Sequence, residues 1–266
     1  MDDWKRAFLS GWVRALSRWS VMAVMGLLPS LAAGGAEVPD PTPRQMLDRV
    51  DNLHRGSSSH GVMAMKVVRE NWSRELKLEF WTQGKDNTLV RILEPAKEKG
   101  TATLRTEGKI WNYLPKVSQV IKIPASMMGS SWMGSHFSND DLVKQNRLAD
   151  DYEFVQTFTG ERDGAPVAEI TCTPKAYAAV VWGRVVVTVS RADWLPRRLA
   201  YFDEDLRPVR TLTFADFRPL GDLSIPRVAR MVPEDPAQEM TEIRYEDLSF
   251  NVALPADWFS IRELQR

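Results

Sequence analysis

The spacing of apolar residues changes once along this chain. Residues 44–55 carry Met46, Leu47, Val50 and Leu53, separated by threes and fours, which predicts an amphipathic helix. Thr42 supplies an N-cap and Pro43 the first helical position, and Gly56 with Ser57 to Ser59 ends the pattern. From there the period is two. Met63, Met65 and Val67 alternate with other residues, then Leu76, Leu78 and Phe80 between Glu75, Lys77 and Glu79, then Val90 and Ile92 around Arg91. Ala102 and Leu104, Trp111 and Tyr113, and Ile121 and Ile123 continue it. Turn signals separate the runs, among them Gly84-Lys85-Asp86-Asn87, Glu94-Pro95, Glu107-Gly108 and Pro115-Lys116, so an antiparallel meander is expected.

Residues 124–144 break the alternation. PASMMGSSWMGSHFSNDDLVK is rich in Gly and Ser yet holds Met127, Met128, Trp132, Met133 and Phe137. Ser138 is placed to cap a short helix with Asp140 and Asp141 in its first turn. A long, partly apolar interruption of a meander predicts a functional loop or lid. Strand character returns at 152–159, 167–173, 183–191, 195–202, 209–217, 224–232 and 240–250. The expected fold is mainly β: a curved antiparallel half-barrel of about eleven strands, its apolar concave face covered by short helices and its convex face solvated. Alternation alone does not separate a filled core from a ligand cavity, and both readings stand at this level.

The first 36 residues are of another kind. Lys5, Arg6, Arg14 and Arg18 precede the apolar run WSVMAVMGLLPSLAAGGA, the pattern of a secretory signal peptide. The run is broken by Pro29, whereas a spanning helix takes about 20 apolar residues. Cleavage is expected after Ala36, with Ala32 as the other candidate and an uncleaved anchor as the competing reading. The expected organisation is a signal peptide over 1–36, a proline-rich linker over 37–43 (EVPDPTP), and a single domain over 44–266. No cysteine follows the signal, so no lipid anchor is expected, and the one cysteine, Cys172, has no disulfide partner. Export to the periplasm of a Gram-negative bacterium is the expected location.

Charge and composition narrow the chemistry. Lys and Arg number 35 against 35 Asp and Glu, without the basic footprint of a nucleic-acid binder. His54, His60 and His136 fall in no zinc-binding spacing, and His54 and His60 read as surface residues. No phosphate-cradling glycine pattern occurs, so neither metal nor cofactor is expected. Ser135-His136 near Asp140 and Asp141 supplies the residue types of a hydrolase triad without a GxSxG elbow, and no enzymatic activity is expected. Cys172, in the alternating run EITCT, reads as a packed small residue. Eleven methionines stand out, three of them in the 124–144 loop, and methionine suits surfaces that accept varied apolar partners.

Three segments go beyond patterning. KDNTLVRILEPAKEKGTATLR (85–105), IWNYLPKVSQVIKIP (110–124) and SMMGSSWMGSHFSNDDLVK (126–144) resemble the bacterial outer membrane lipoprotein-sorting protein family. These are the LolA-like proteins of the LolA/LolB superfamily, and the last segment resembles a subfamily distinct from the housekeeping lipoprotein carrier. The resemblance implies a half-barrel closed by helices around an apolar cavity for acyl chains. It implies a periplasmic carrier of a lipid or lipoprotein, with an inner-membrane transporter of the resistance-nodulation type as donor and an outer-membrane acceptor. A lipid-sensing regulator of envelope stress on the same fold is the alternative. Such regulators add a C-terminal domain, for which little chain is left after Trp258.

On this reading acyl chains contact Met63, Met65, Leu76, Leu78, Phe80, Val90, Ile92, Trp111 and Tyr113 on the strands. Met127, Met128, Trp132 and Met133 form the cover. Arg91, Lys116 and Lys122 are candidates for an anionic headgroup or a partner, against plain solvated strand charges.

Overall fold

The computed structural model describes residues 40–266 except Gln145, Asn146, Ala179, Asp222 and Ala237. The expected signal peptide and residues 37–39 of the expected linker lie outside the described residues. No helix among the described residues is long and apolar enough to cross a membrane.

Helix α1 (Pro43–Asp51) starts where its cap demands. Gln45 N–H donates to Thr42 Oγ1 at 3.3 Å, and Thr42 N–H donates back to Gln45 Oε1 at 2.8 Å, a reciprocal box with proline in the first turn. Its buried stripe is Met46, Leu47 and Val50, with Leu53 just beyond.

Two runs of strands follow. The first is β1 (Ser58–Arg69), β2 (Trp72–Gln83), β3 (Asn87–Glu94), β4 (Ala102–Thr106), β5 (Lys109–Leu114) and β6 (Gln119–Lys122). The second is β7 (Tyr152–Arg162), β8 (Ala165–Pro174), β9 (Arg184–Ser190), β10 (Pro196–Phe202), β11 (Pro208–Leu220), β12 (Leu223–Pro233) and β13 (Met240–Phe250). Short helices α2 (Asn139–Lys144) and α3 (Leu148–Asp151) lie between the runs, and α4 (Ile261–Leu264) ends the chain.

All neighbours pair antiparallel in one open 13-stranded sheet, ordered β6-β5-β4-β3-β2-β1-β13-β12-β11-β10-β9-β8-β7. The half-barrel is therefore as expected, with thirteen strands where about eleven were anticipated. The two runs are each a meander, joined where β1 pairs with β13. Consecutive strands β6 and β7 form the two opposite edges, so residues 123–151 must pass from one edge to the other across the sheet. The sheet wraps its inner face around this crossing segment and α1. The main core holds Met46, Leu47, Met65, Leu78, Ile170 and Val187 together with Trp132 and Phe137 of the crossing segment.

At Gly61 of β1 the sheet closes too tightly for a side chain. A Cβ there would stand 2.4 Å from the Asp247 carbonyl oxygen and 2.9 Å from the Phe80 ring. The β1–β13 register shifts immediately afterwards, between Val62 and Met63.

The outer face departs from expectation over β2–β5. Instead of a solvated polar surface it carries a second apolar cluster of Trp81, Leu89, Ala102 and Leu104, covered by Leu254, Trp258, Phe259 and Leu264. The C-terminal segment has its own apolar side to bury, and strands β2 to β4 supply the matching face.

Candidate functional site

The inner face encloses a cavity of about 120 Å³. Val50 and Leu53 reach it from the α1 end, Met63 from β1, Phe80 from β2 and Val90 from β3. The second half of the sheet contributes Leu199 and Tyr201 from β10, Leu212 and Phe214 from β11, and Ile243 and Tyr245 from β13. Trp132, Phe137 and Leu142 of the crossing segment close it.

Four of the thirteen expected contact residues therefore line the cavity: Met63, Phe80, Val90 and Trp132. Met65, Leu76, Leu78 and Ile92 face the same side but are packed into the core around it, and Met133 packs partly buried against that core. Met127 is exposed and Met128 half-buried, both outside the clusters. Trp111 and Tyr113 are corrected to the opposite face. Leu89 pairs with Leu104 and Leu104 with Trp111, so this row belongs with Trp81 on the outer side, while Val90 belongs with Thr103 and Asn112 on the inner side. Arg91 is also on the outer side, where it lies over Trp81 and donates to the Glu263 carbonyl at 2.7 Å. The apolar lining residues missed were Val50 and Leu53 at the α1 end, Phe137 and Leu142 of the crossing segment, and those of β10, β11 and β13, although the same alternation ran through 195–202, 209–217 and 240–250.

His54 is not a surface residue. It stacks on Tyr245 at 4.2 Å, its Nε2–H donates to the Pro226 carbonyl at 2.9 Å, and burial holds its pKa down to about 4, so the ring is neutral. His60 is half-exposed, stacked on Trp81 and 2.9 Å from Glu79.

The cover is a folded unit. The chain doubles back from Ser131 to Ser138, with Trp132 N–H donating to the Phe137 carbonyl at 2.7 Å and Asn139 N–H to the Ser130 carbonyl at 3.0 Å. Met133 and Gly134 make the reversal at φ 49° and 72°. Ser138 caps α2 as expected: its Oγ accepts from Asp141 N–H at 3.2 Å, and the Asp141 carboxylate accepts from Ser138 N–H at 2.6 Å. Trp132 points inward, 3% exposed, and its Nε1–H donates to Thr103 Oγ1 at 3.2 Å.

Two polar latches fasten this cover to the sheet. In one, Arg210 of β11 donates to Asp141 at 2.5 Å and to the His136 carbonyl at 2.8 Å, while its guanidinium sits over Trp182 and Tyr201. Both members of this ion pair are buried. In the other, Glu239 accepts from Arg69 at 2.7 Å, from His136 Nε2–H at 3.1 Å and from Glu70 N–H at 3.0 Å. The Glu70 amide, His136 and Arg69 together hold the Glu239 carboxyl down to about 2. Thr241 Oγ1 accepts from the His136 backbone N–H and lies 2.8 Å from Nδ1. Since Nε2–H donates to a carboxylate, Nδ1 is the acceptor here, and burial lowers the ring's pKa.

The same contacts take Ser135 and His136 away from hydrolase geometry. Ser135 Oγ is buried and donates to the Trp132 carbonyl at 2.7 Å, while both His136 ring nitrogens are engaged elsewhere. Cys172 is fully buried and its thiol is pushed up to about 12 by burial, as suits a packed residue.

A third tie joins α1 to α3. Asp51 is fully buried and accepts from the N–H groups of Leu148 (3.2 Å) and Ala149 (3.1 Å). Burial outweighs those bonds and pushes its carboxyl up from 3.8 to about 6. The folded protein thus holds this proton more tightly than the unfolded chain does. The stabilisation is complete below about pH 4 and is lost as pH rises through about 6, a total of about 3 kcal/mol. Urea unfolding at the two ends of that window should show Asp51→Asn lacking this part of the slope; identical slopes would refute it.

The fold, an open half-barrel whose edge strands are joined by a segment crossing its inner face, is similar to that of several solved proteins. A domain from Vibrio parahaemolyticus described as a candidate outer membrane lipoprotein-sorting protein superposes with a TM-score of 0.73 at 21% identity, over 84% of this chain and 98% of its own. A DUF1329 family protein from Desulfovibrio piger gives 0.76 at 23% identity, over 84% and 97%. A LolA superfamily protein from Nitrosomonas europaea gives 0.71 at 20% identity, over 84% and 99%. No curated protein matches the chain by sequence. The family described as "Uncharacterized protein" matches residues 84–266, more than half of the chain, and the chain belongs to it.

Proposed function

We propose that this protein is a non-enzymatic periplasmic carrier that shelters the acyl chains of a lipid or lipoprotein on the way to the outer membrane. The observation that carries this reading is the apolar cavity on the inner face of an open sheet, closed by a segment that puts Trp132 and Phe137 into the core and is tied to the sheet by two polar latches. Two acyl chains hold on the order of 30 methylenes, each worth about 0.8 kcal/mol on leaving water, so unassisted passage through an aqueous gap is negligible. A carrier must offer an apolar surface of comparable affinity and still release its load. Loose contacts with Met63, Phe80, Leu212 and Ile243 suit that exchange better than a few strong polar bonds.

The cavity as it stands is small. About 120 Å³ is below the 150 Å³ or so of a cavity that holds a single benzene, too little for an acyl chain. Loading requires the cover to withdraw Trp132 and Phe137. The 1–36 segment as a cleaved export signal, an inner-membrane exporter of the resistance-nodulation type as donor and an outer-membrane acceptor complete the proposal.

The test is direct. The exported protein, purified from membrane-containing cells, is extracted and its organic phase weighed by mass spectrometry, and the stripped protein is titrated with a fluorescent fatty acid. Co-purifying lipid, or saturable probe binding at one site, is expected. Absence of both would rule the carrier reading out.

A further inference from the structure

One end of the cavity is not apolar. Arg55, Thr82 and Thr88 line it there. Thr82 pairs with Thr88 across β2 and β3, and Thr88 with Arg105 across β3 and β4, so the three stand in one row on the inner face. Arg55, between α1 and β1, donates to the Gly84 carbonyl at 3.0 Å and to Thr88 Oγ1 at 3.5 Å.

Arg105 is the anomaly in this row. Its side chain is 2% exposed, and its Nε and Nη1 have no hydrogen-bond partner. The carboxylate that approaches it, Asp86, is 3.5 Å from Nη2, is 63% exposed, and is shared with Arg147 at 3.7 Å. Burial holds the Arg55 and Arg105 guanidiniums down to about 10, and each stays charged at neutral pH. A buried, under-neutralised guanidinium is costly unless something anionic completes it.

We propose that Arg105 and Arg55 bind the oxyanion of the cargo's head, a phosphate diester or carboxylate, while its chains occupy the apolar part of the cavity. This rests on the carrier reading and adds to it the class of cargo: an anionic amphiphile, held head-first at the β2–β4 end. The expected Arg91, Lys116 and Lys122 site is not involved. Arg91 is engaged on the outer face, and Lys116 and Lys122 are exposed near the β6 edge.

The stripped full-length exported protein is titrated with cis-parinaric acid and with its methyl ester, which share a chain and differ in charge, and with inorganic phosphate as competitor. The acid should bind at least about tenfold tighter than the ester, the range of one charge-assisted hydrogen bond. Arg105→Met should bring that ratio to about one and leave ester binding and circular dichroism intact. Arg105→Gln serves the same purpose should the methionine variant fail to fold. Equal binding of acid and ester by the unaltered protein overturns the headgroup site and leaves the carrier intact. A ratio untouched by either substitution also overturns it. Binding of neither probe overturns the carrier itself. Displacement of the acid by low-millimolar phosphate, with no ester binding, identifies a free oxyanion as the ligand and overturns the amphiphile assignment.

Discussion

Asp141→Ala should lower the unfolding free energy by about 3–5 kcal/mol, the cost of stranding a buried charge. Arg210 is 6% exposed and Asp141 9%, and through this pair the cover's helix meets β11 by opposite charges. Without the carboxylate, Arg210 keeps only the His136 carbonyl and the faces of Trp182 and Tyr201, and the Ser138 amide loses its acceptor. Neutralising both partners is a different experiment. Arg210→Met in the same chain removes the stranded cation and should recover more than half of the loss, since an apolar pair of similar bulk is tolerated where a lone charge is not. Urea unfolding followed by far-ultraviolet circular dichroism measures both. A single-site loss under about 1 kcal/mol, or a double variant no better than the single, would show that this pair does not hold the cover.

The latches explain why part of the site could not be read in advance. Asp141 and Arg210 are 69 residues apart, and Glu239 meets His136 across 103. Nothing in the local spacing of either residue marks it as a partner of the other. Local signals, by contrast, were reliable. The Thr42 cap, the Ser138 cap of α2 and the alternation of Met63-Met65 and Leu76-Leu78-Phe80 each depend on neighbours within a few residues, and each is present. Parity failed at Trp111 and Tyr113 because β3 is apolar on both faces: Leu89 and Val90 are both buried, one outward and one inward. Which row continues the cavity is then set by register with β4, and the outward row makes sense only once Trp258 and Leu264 are seen to cover it.

The same distinction separates a core from a carrier. Met65, Val67 and Leu78 are sealed and read as ordinary packing, whereas Met63, Phe80 and Val90 border free volume that the cover could enlarge by leaving. Cover and cavity are therefore one device. On the proposed carrier function, the residues that fill the mouth are those that must be displaced for a chain to enter, and the polar latches oppose that displacement.

Trp132→Ala tests that coupling most sharply. Trp132 is 3% exposed, lines the cavity and anchors the cover to β4 through Thr103. Removing a buried indole costs about 3–5 kcal/mol of stability in the closed form. If Trp132 is the plug, the same truncation lowers the barrier to opening, because its contacts are lost from the closed state and not from the open one. Uptake of a fluorescent fatty acid, followed by stopped flow at fixed protein concentration, should then be faster by at least about tenfold, the equivalent of 1.4 kcal/mol of the loss appearing in the gate. Phe154→Ala, on β7 against the same core, weakens the sheet without touching the cavity and should leave uptake unchanged. Equal uptake by Trp132→Ala and the unaltered protein would mean that the cover opens without moving its central side chain, and that chains enter by some other route.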